Sequence, residues 1–353
     1  MPFLKNNRHA RLLWIQFFKR FPYNLRRVFL VEKDYNPKGL ALFLSGYCNL
    51  YKSDNKNEYL EKITFLADKI ISLQSKGYSG SCWGYNFDWQ ARAFYKSKYT
   101  PTVVVTSFAT QALLDAFDIL NDKKLLEIAA SACNFILRDL NRVYDGDGNF
   151  AFSYSPHDKN VIFNASFLGA KTLAKVYSYT KEDNLLKEAK RSVAFCCKHQ
   201  NADGSWTYGV LPYHQWIDSF HTGYNLESLW EYENFSDDRT YRHHIEKGLN
   251  YYLKVFFTTE GIPKYYNNST YPIDVHSAAQ LIITLCKMAN ERSHEILINK
   301  VLHWAIENIQ DEEGFFYYQF GKFLKCKISY MRWSQAWMFY ALSYLIRRLG
   351  IKE

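Results

Sequence analysis

What is missing from this 353-residue chain narrows its function first. There is no Gly-x-Gly-x-x-Gly and no phosphate-binding loop of the Gly-x4-Gly-Lys-Ser/Thr type, so the usual dinucleotide and nucleotide fingerprints are absent. There is no Cys-x-x-Cys, and the seven cysteines (48, 82, 133, 196, 197, 286 and 326) are odd in number and sit mostly in apolar runs. A disulfide framework or structural zinc site is therefore not expected, and a reducing cytoplasm is the simplest compartment. Acidic residues are absent from positions 1–28, which carry Lys5, Arg8, Arg11, Lys19, Arg20, Arg26 and Arg27 interleaved with Trp14, Phe17, Phe18 and Phe21. The apolar stretch there is too short and too broken by charge to span a bilayer. No small-residue cleavage site follows, so a secretory signal is not expected.

What is abundant is aromatic surface. Phe, Trp and Tyr make up 18% of the chain, with 28 tyrosines, more than a core needs and well suited to stacking on sugar rings and donating hydroxyl hydrogen bonds. The net charge of +9 favours an acidic partner, a polyanionic glycan, an anionic membrane surface or nucleic acid, and does not by itself choose among them. The 1–28 segment reads as a basic helix docked on the fold, with added contact to an anionic inner leaflet as the sharper expectation.

A short signature recurs: DGDGNF ending at Phe150, NADGSW at Trp206, TTEGIP at Pro263 and DEEGFF at Phe316, with a degenerate copy, YSGSCWGY, around Gly80 and Trp83. Glycines 148, 204, 261 and 314 are spaced by about 55 residues, and a tyrosine (154, 208, 265, 317) follows each. Segments 58–75, 123–140, 184–200, 240–257 and 294–310 show one apolar stripe among Lys and Glu, as outer helices should. Segments 37–51, 104–120, 163–179, 218–235, 275–290 and 333–349 are rich in Ala, Ser, Gly, Leu and aromatics, as helices buried on both sides should be. The stretch 8–20 is then the natural sixth outer helix, packed beside the C-terminal hairpin.

Six helical hairpins at this period resemble the (α/α)6 toroid of many glycoside hydrolases, polysaccharide lyases and sugar epimerases, and of the terpenoid-cyclase and prenyltransferase group. The expectation is one all-α domain over residues 1–353, with short β-hairpins in its loops. QNADGSW also resembles the QW repeat of triterpene cyclases, but the DxDD and DDxxD runs of terpenoid chemistry are absent. Together, CWGYNFDWQAR, WIDSFHTGYNL, DVHSAAQ and RWSQAWM resemble the VpsJ-like group of bacterial surface-polysaccharide biosynthesis proteins, from about residue 35 onward. That resemblance implies a capsular or exopolysaccharide pathway more than a reaction.

In such a toroid the inner helices run parallel, so their entry loops open on one side. Asp218 and His221 begin the fourth inner helix, Asp274 and His276 the fifth, Arg332 and Trp333 the sixth. Converging helix N-termini give that mouth a positive potential suited to an anionic ligand. The aspartates could act only as caps, worth about 1 kcal/mol each. The adjacent histidine favours more, because a carboxylate fixes an imidazole's tautomer and raises its pKa towards the range useful for acid–base work. Ligand type would also let these four residues hold a metal, and spacing alone leaves that open; the preferred reading has neither metal nor cofactor.

Asp88 is a third acid candidate, with a loop salt bridge as its plain alternative, and Tyr224 a candidate acid or base. Trp83, Tyr85, Trp89, Arg92, Asn164, Trp206, Trp216, Tyr265, Gln280, Arg332 and Trp333 are candidate substrate contacts, the tryptophans being stacking platforms or packing between repeats. In CCKHQ the Cys pair ends an outer helix and reads as structural. The leading expectation is a cytoplasmic enzyme, in part peripheral at the inner membrane, acting on an acidic oligo- or polysaccharide or a sugar-linked carrier as epimerase, lyase or hydrolase. The rivals are a non-catalytic glycan- or lipid-carrier-binding protein and a terpenoid or prenyl catalyst. Nucleic acid is not expected as a partner.

Overall fold

The computed structural model describes residues 7–90, 95–288 and 291–350. Six helices form an inner ring: α2 (Pro37–Asp54), α4 (Val103–Leu120), α6 (Phe163–Thr180), α8 (Ser219–Ser236), α10 (Val275–Met288) and α12 (Ala336–Leu349). Each packs on the next, and α12 packs on α2, so the ring closes. Five helices lie outside it: α3 (Asn57–Ser72), α5 (Lys123–Asn134), α7 (Asp183–Lys198), α9 (Arg242–Phe256) and α11 (Arg292–Ile309). The architecture is the (α/α)6 toroid.

The residue pattern explains which helix goes where. In α6 every residue from Phe163 to Val176 is buried, because inner and outer neighbours cover both of its faces. In α7 only one stripe is buried, including Leu185, Ala189, Ser192, Val193 and Cys196, with Lys and Glu facing water. At their C-termini α2, α4 and α6 end on Asn55, Asn121 and Lys181 in the left-handed region, which reverses the chain within a few residues into an outer helix. Long loops are thereby left to the opposite rim.

The recurring glycine signature is a turn made four times. Gly148, Gly204, Gly261 and Gly314 all have positive φ, and each donates its N–H to the carbonyl three residues earlier. At Gly204 a Cβ would also stand 2.4 Å from the Lys247 carbonyl oxygen, so no side chain fits there. The tyrosines beyond these turns have a matching task. Carbonyls of Tyr154, Tyr208, Tyr265 and Tyr318 accept the N–H of Val103, Phe163, Ser219 and Val275, the first residues of α4, α6, α8 and α10. Each satisfies an otherwise orphaned helix-start donor and stitches one repeat to the next. In the last copy the residue is Tyr318, one beyond Tyr317.

Short strands cluster on this rim: β1 (Trp89–Gln90) with β2 (Tyr95–Lys96), β3 (Arg142–Tyr144) with β4 (Phe150–Phe152), and β5 (Ile273–Asp274) with β6 (Gln319–Phe320) and β7 (Lys325–Cys326), all antiparallel.

Helix α1 (Arg8–Arg20) departs from expectation. It does not fill the sixth outer position. It lies across the rim, where Arg11 Nε donates to Gln90 Oε1 at 2.9 Å and the Tyr330 hydroxyl donates to the Phe18 carbonyl at 3.3 Å. Its aromatic face packs within its own segment: Trp14, Phe18 and Phe29 pair at 4.8–5.2 Å between ring centroids. An apolar face satisfied locally has no need of the groove behind α12.

Candidate acid–base site at the ring mouth

Asp218 is the N-cap of α8, and its Oδ1 accepts the His221 N–H at 2.9 Å. Its Oδ2 accepts from the His221 ring Nδ1 at 2.7 Å and from the Trp216 indole at 3.0 Å. Capping and orienting are thus done by one carboxylate: one oxygen starts the helix and the other holds an imidazole. Because a carboxylate only accepts, Nδ1 carries the proton and Nε2 is left as the free base position. The His221 side chain retains 22% exposure.

The second pair is built differently. Asp274 Oδ1 accepts the backbone N–H of His276 at 3.0 Å, while its Oδ2 accepts from Gln319 Nε2 at 3.0 Å and from the Trp333 indole at 3.1 Å. Its carboxylate anchors the helix start, the β5–β6 pair and Trp333. The His276 ring instead lies between Phe220 and Trp337, 4.5 and 4.1 Å away and nearly parallel to both, and its Nε2 is 2.9 Å from the Tyr224 hydroxyl. Its Nδ1 is buried without a partner among the described residues. Burial first, then the neighbouring Lys38, His221 and Arg332, hold its pKa well below the ordinary histidine value. The expected rise in pKa thus does not apply to His276, which is kept neutral. Burial likewise pushes the Tyr224 phenol well up.

The two pairs converge on one ring. The imidazoles of His221 and His276 lie 5.8 and 5.7 Å from the Tyr224 ring centroid. Tyr224 is one helical turn beyond His221 on α8, so the spacing that starts the helix also places the tyrosine between the histidines. Half-buried aromatics rim this centre. Trp216 stacks on Tyr208 at 4.4 Å, Tyr265 meets Phe220 edge-on, and Trp89 meets Tyr85 edge-on. The Arg332 guanidinium lies over the rings of Tyr85, Phe87 and Trp333. Asn164, in the first turn of α6, is buried with its Oδ1 unpartnered among the described residues.

Several expected contacts fall elsewhere. Trp83 does not wall the mouth: it is wholly buried among α2, α3 and α4 with its indole donating to the Ile70 carbonyl at 2.7 Å. Trp206 is likewise interior, donating to the Cys196 carbonyl and meeting Phe167 edge-on. Both are packing between repeats. Gln280 is fully buried one turn below His276, bonded to Glu227 and Thr284. Asp88 is exposed and braces the β1–β2 hairpin by accepting the Lys98 N–H at 2.9 Å. Arg92 lies outside the described residues.

Sequence reading missed three groups. Phe220 meets the rings of both histidines and Tyr208 that of His221; the sequence marked Tyr208 only as a repeat tyrosine and did not single out Phe220 at all. Lys38 did leave a signal: a lysine in the first turn of α2, which carries no other charge until its last turn. Its Nζ is 3.4 Å from the Tyr224 hydroxyl.

Below the site the bore is filled by a buried ionic cluster. Lys171 and Lys287 contact Glu227 and Glu231, and Lys175 pairs with Asp115 at 2.7 Å. Among the described residues no group of three or more His, Cys, Asp or Glu is placed to hold a metal.

No family model matches the chain, and no curated protein matches it. Solved structures do. Cellobiose 2-epimerase from Bacillus thermoamylovorans superposes with a TM-score of 0.69 at 11% identity over 88% of each chain. An unsaturated glucuronyl hydrolase specific for heparin gives 0.65 at 12% identity, covering 89% of this chain and 87% of that one. A GH76 α-mannanase of Bacteroides thetaiotaomicron gives 0.66 at 14%, with the same coverage. Likeness at such identity establishes the shared (α/α)6 toroid fold.

Proposed function

We propose that this chain is a carbohydrate-active enzyme that moves protons at an acidic sugar, as an epimerase or lyase. One observation carries the reading: an Asp-oriented histidine and a neutral, Tyr-bonded histidine flank the same tyrosine at the mouth of the ring. In that chemistry the C–H bond beside a sugar carboxylate breaks, its proton passes to His221 Nε2, and the electron pair moves into the carboxylate. Return of a proton to the other face inverts the carbon. Loss of the oxygen substituent one carbon away, protonated by Tyr224, leaves an unsaturated sugar. Paired-carboxylate hydrolysis has less support, because Asp218 and Asp274 are each committed to three hydrogen bonds or more and Asp88 is a loop brace. The sugar-active names among the structural neighbours favour a sugar substrate, and the motif resemblance to VpsJ-like proteins adds surface-polysaccharide biosynthesis as its pathway.

The test is incubation with uronic-acid oligosaccharides in D2O, read by NMR for deuterium at carbon and by ultraviolet absorbance for an unsaturated uronate. Exchange or elimination that disappears in His221→Gln supports the reading. Glycosidic cleavage without exchange would replace it with hydrolysis, and binding without turnover would replace it with a non-catalytic carrier-binding role.

The same reading includes a cytoplasmic position at an anionic leaflet, with a lipid-linked sugar as one form of substrate. Exposed Leu13, Phe17, Tyr23 and Leu30 of the N-terminal segment, and Phe323 and Leu324 at the tip of the β6–β7 turn, share the rim with Arg26, Arg27, Lys322 and Lys325. The Phe21 carbonyl faces Cys326 Sγ, so the two elements are neighbours. Apolar tips beside basic groups suit an interface of anionic lipid. Co-sedimentation with phosphatidylglycerol vesicles should weaken as salt rises and as Phe323 and Leu324 become serine; unchanged binding in that double variant would remove the hairpin from the contact.

A further inference from the structure

Buried cations in this protein are matched by carboxylates almost everywhere. Lys171, Lys175 and Lys287 meet Glu227, Glu231 and Asp115, Lys96 meets Asp158, and Arg142 meets Glu188. Lys38 is the exception at the site. It is 5% exposed, yet its polar contact is the Tyr224 hydroxyl at 3.4 Å, and the faces of Phe108, Tyr224 and Trp337 surround its ammonium at 4.3–5.3 Å. Arg332 is half-buried, also without an ion pair among the described residues, and rests on aromatic rings. Its backbone lies against the first turn of α2: a Cβ on Gly39 would be 3.6 Å from the Arg332 Cα. Two cations with no carboxylate partner among the described residues thus flank the first turn of α2 near the His276–Tyr224 pair.

An unpaired buried ammonium is costly, and contact with ring faces recovers only part of what it loses on leaving water. A second cation beside it adds repulsion. Such an arrangement becomes favourable when an anion arrives. The start of α2 contributes in the same sense, since Lys38 is the second residue of that helix and the dipole at a helix N-terminus favours negative charge.

We propose that Lys38 and Arg332 form a carboxylate-recognition pair that holds the acidic group of a uronic-acid-containing glycan beside His276 and Tyr224. The proposal rests on reading this mouth as a sugar site, and it specifies which sugar: one whose charge is needed for binding. Lys38 and Arg332 are the specificity-determining residues, and His221 and the Tyr224–His276 pair act on the carbon next to the group they hold. The state of Lys38 agrees. Burial first, and Arg332 second, bring its pKa well below 10.5, and an anion placed against it acts in the opposite direction by favouring the charged form.

The experiment uses the full chain and three probes: methyl α-D-glucuronoside, its uncharged methyl ester, and glucose 1-phosphate. Titration calorimetry reads the affinity for each probe. The wild type should prefer the acid to the ester by about tenfold or more, as expected when a charged hydrogen-bonded pair is made rather than a neutral one. Lys38→Met and Arg332→Gln should each lose most of that preference while melting as a folded protein. Lys38→Arg should retain it. Equal affinity for acid and ester, no binding of either, or a preference that survives both substitutions overturns the proposal. Tighter binding of the phosphate than of the acid overturns the carboxylate assignment. A protein that shows this preference but exchanges no deuterium keeps the recognition pair and loses only the proton-transfer reading, so the two failures are separable.

Discussion

Asp218→Asn is the sharpest perturbation of the site, because the two side chains have the same shape and cap helices about equally well. In the native protein Oδ1 accepts the His221 N–H, while Oδ2 accepts both the His221 Nδ1–H and the Trp216 indole N–H. Asparagine keeps an oxygen for the cap and presents an NH2 to the other two donors. The indole cannot respond, since it only donates. The imidazole can: it moves its proton from Nδ1 to Nε2 and accepts from the new amide. The stability cost is then one indole hydrogen bond to a charged acceptor and the loss of charge assistance on another. That is about 2–3 kcal/mol, reduced where the half-buried indole regains water.

The chemical cost is larger. With the proton on Nε2, His221 loses its free base position towards the mouth, and turnover should fall about 10²–10⁴-fold. Two measurements separate the effects. Urea denaturation gives the stability change, and 15N NMR of the imidazole gives the tautomer without requiring the substrate to be known. Asp274→Asn is the internal control, since among the described residues that carboxylate accepts from Trp333, Gln319 and a backbone N–H rather than from an imidazole ring: it should cost stability through Trp333 and Gln319 and leave both histidine tautomers alone. If Asp218→Asn leaves the tautomer of His221 unchanged, the orienting role fails.

The ring was legible because its causes are local and repeated. A Gly turn, an apolar inner helix and an amphipathic outer helix recur at one period, and periodicity survives without any contact being known. The Asp–His pairs were legible as positions for the same reason, since both sit where a helix must start. Their chemistry was not. Sequence spacing is nearly the same in Asp218–His221 and Asp274–His276, yet one carboxylate grips the imidazole and the other grips an indole and an amide from a distant strand. That difference arises from Trp333 and Gln319, more than forty residues away in the chain. The tryptophans show the converse error: Trp83 and Trp206 lie beside glycine turns as rim residues would, but their N–H groups find carbonyls in the interior and the rings follow. For α1 the amphipathic pattern was read correctly and its partner was not, because a stripe states that an apolar face must be covered and does not say by what.

The buried cluster under the site gives one further prediction and His276 gives the last. Lys287→Met leaves Glu227 and Glu231 facing Lys171 alone in the bore, and an uncompensated buried carboxylate should cost about 3–5 kcal/mol in urea denaturation; a loss below 1 kcal/mol would mean water reaches the cluster. For His276 the sign follows from its depressed pKa. Above the unfolded value of about 6.5 both states are neutral there, so it exerts no pH dependence. Below that, the unfolded chain takes up a proton that the buried ring between Phe220 and Trp337 refuses, and stability falls as the pH drops towards the folded value. His214, lowered by burial, and His244, lowered to about 4, act in the same direction. The urea midpoint should therefore decline steadily from pH 7 to pH 5. His276→Phe, which keeps a ring in the stack and removes the titration, should flatten that decline while leaving the contributions of the other two; an unchanged slope would show that His276 already accepts a proton in the folded state.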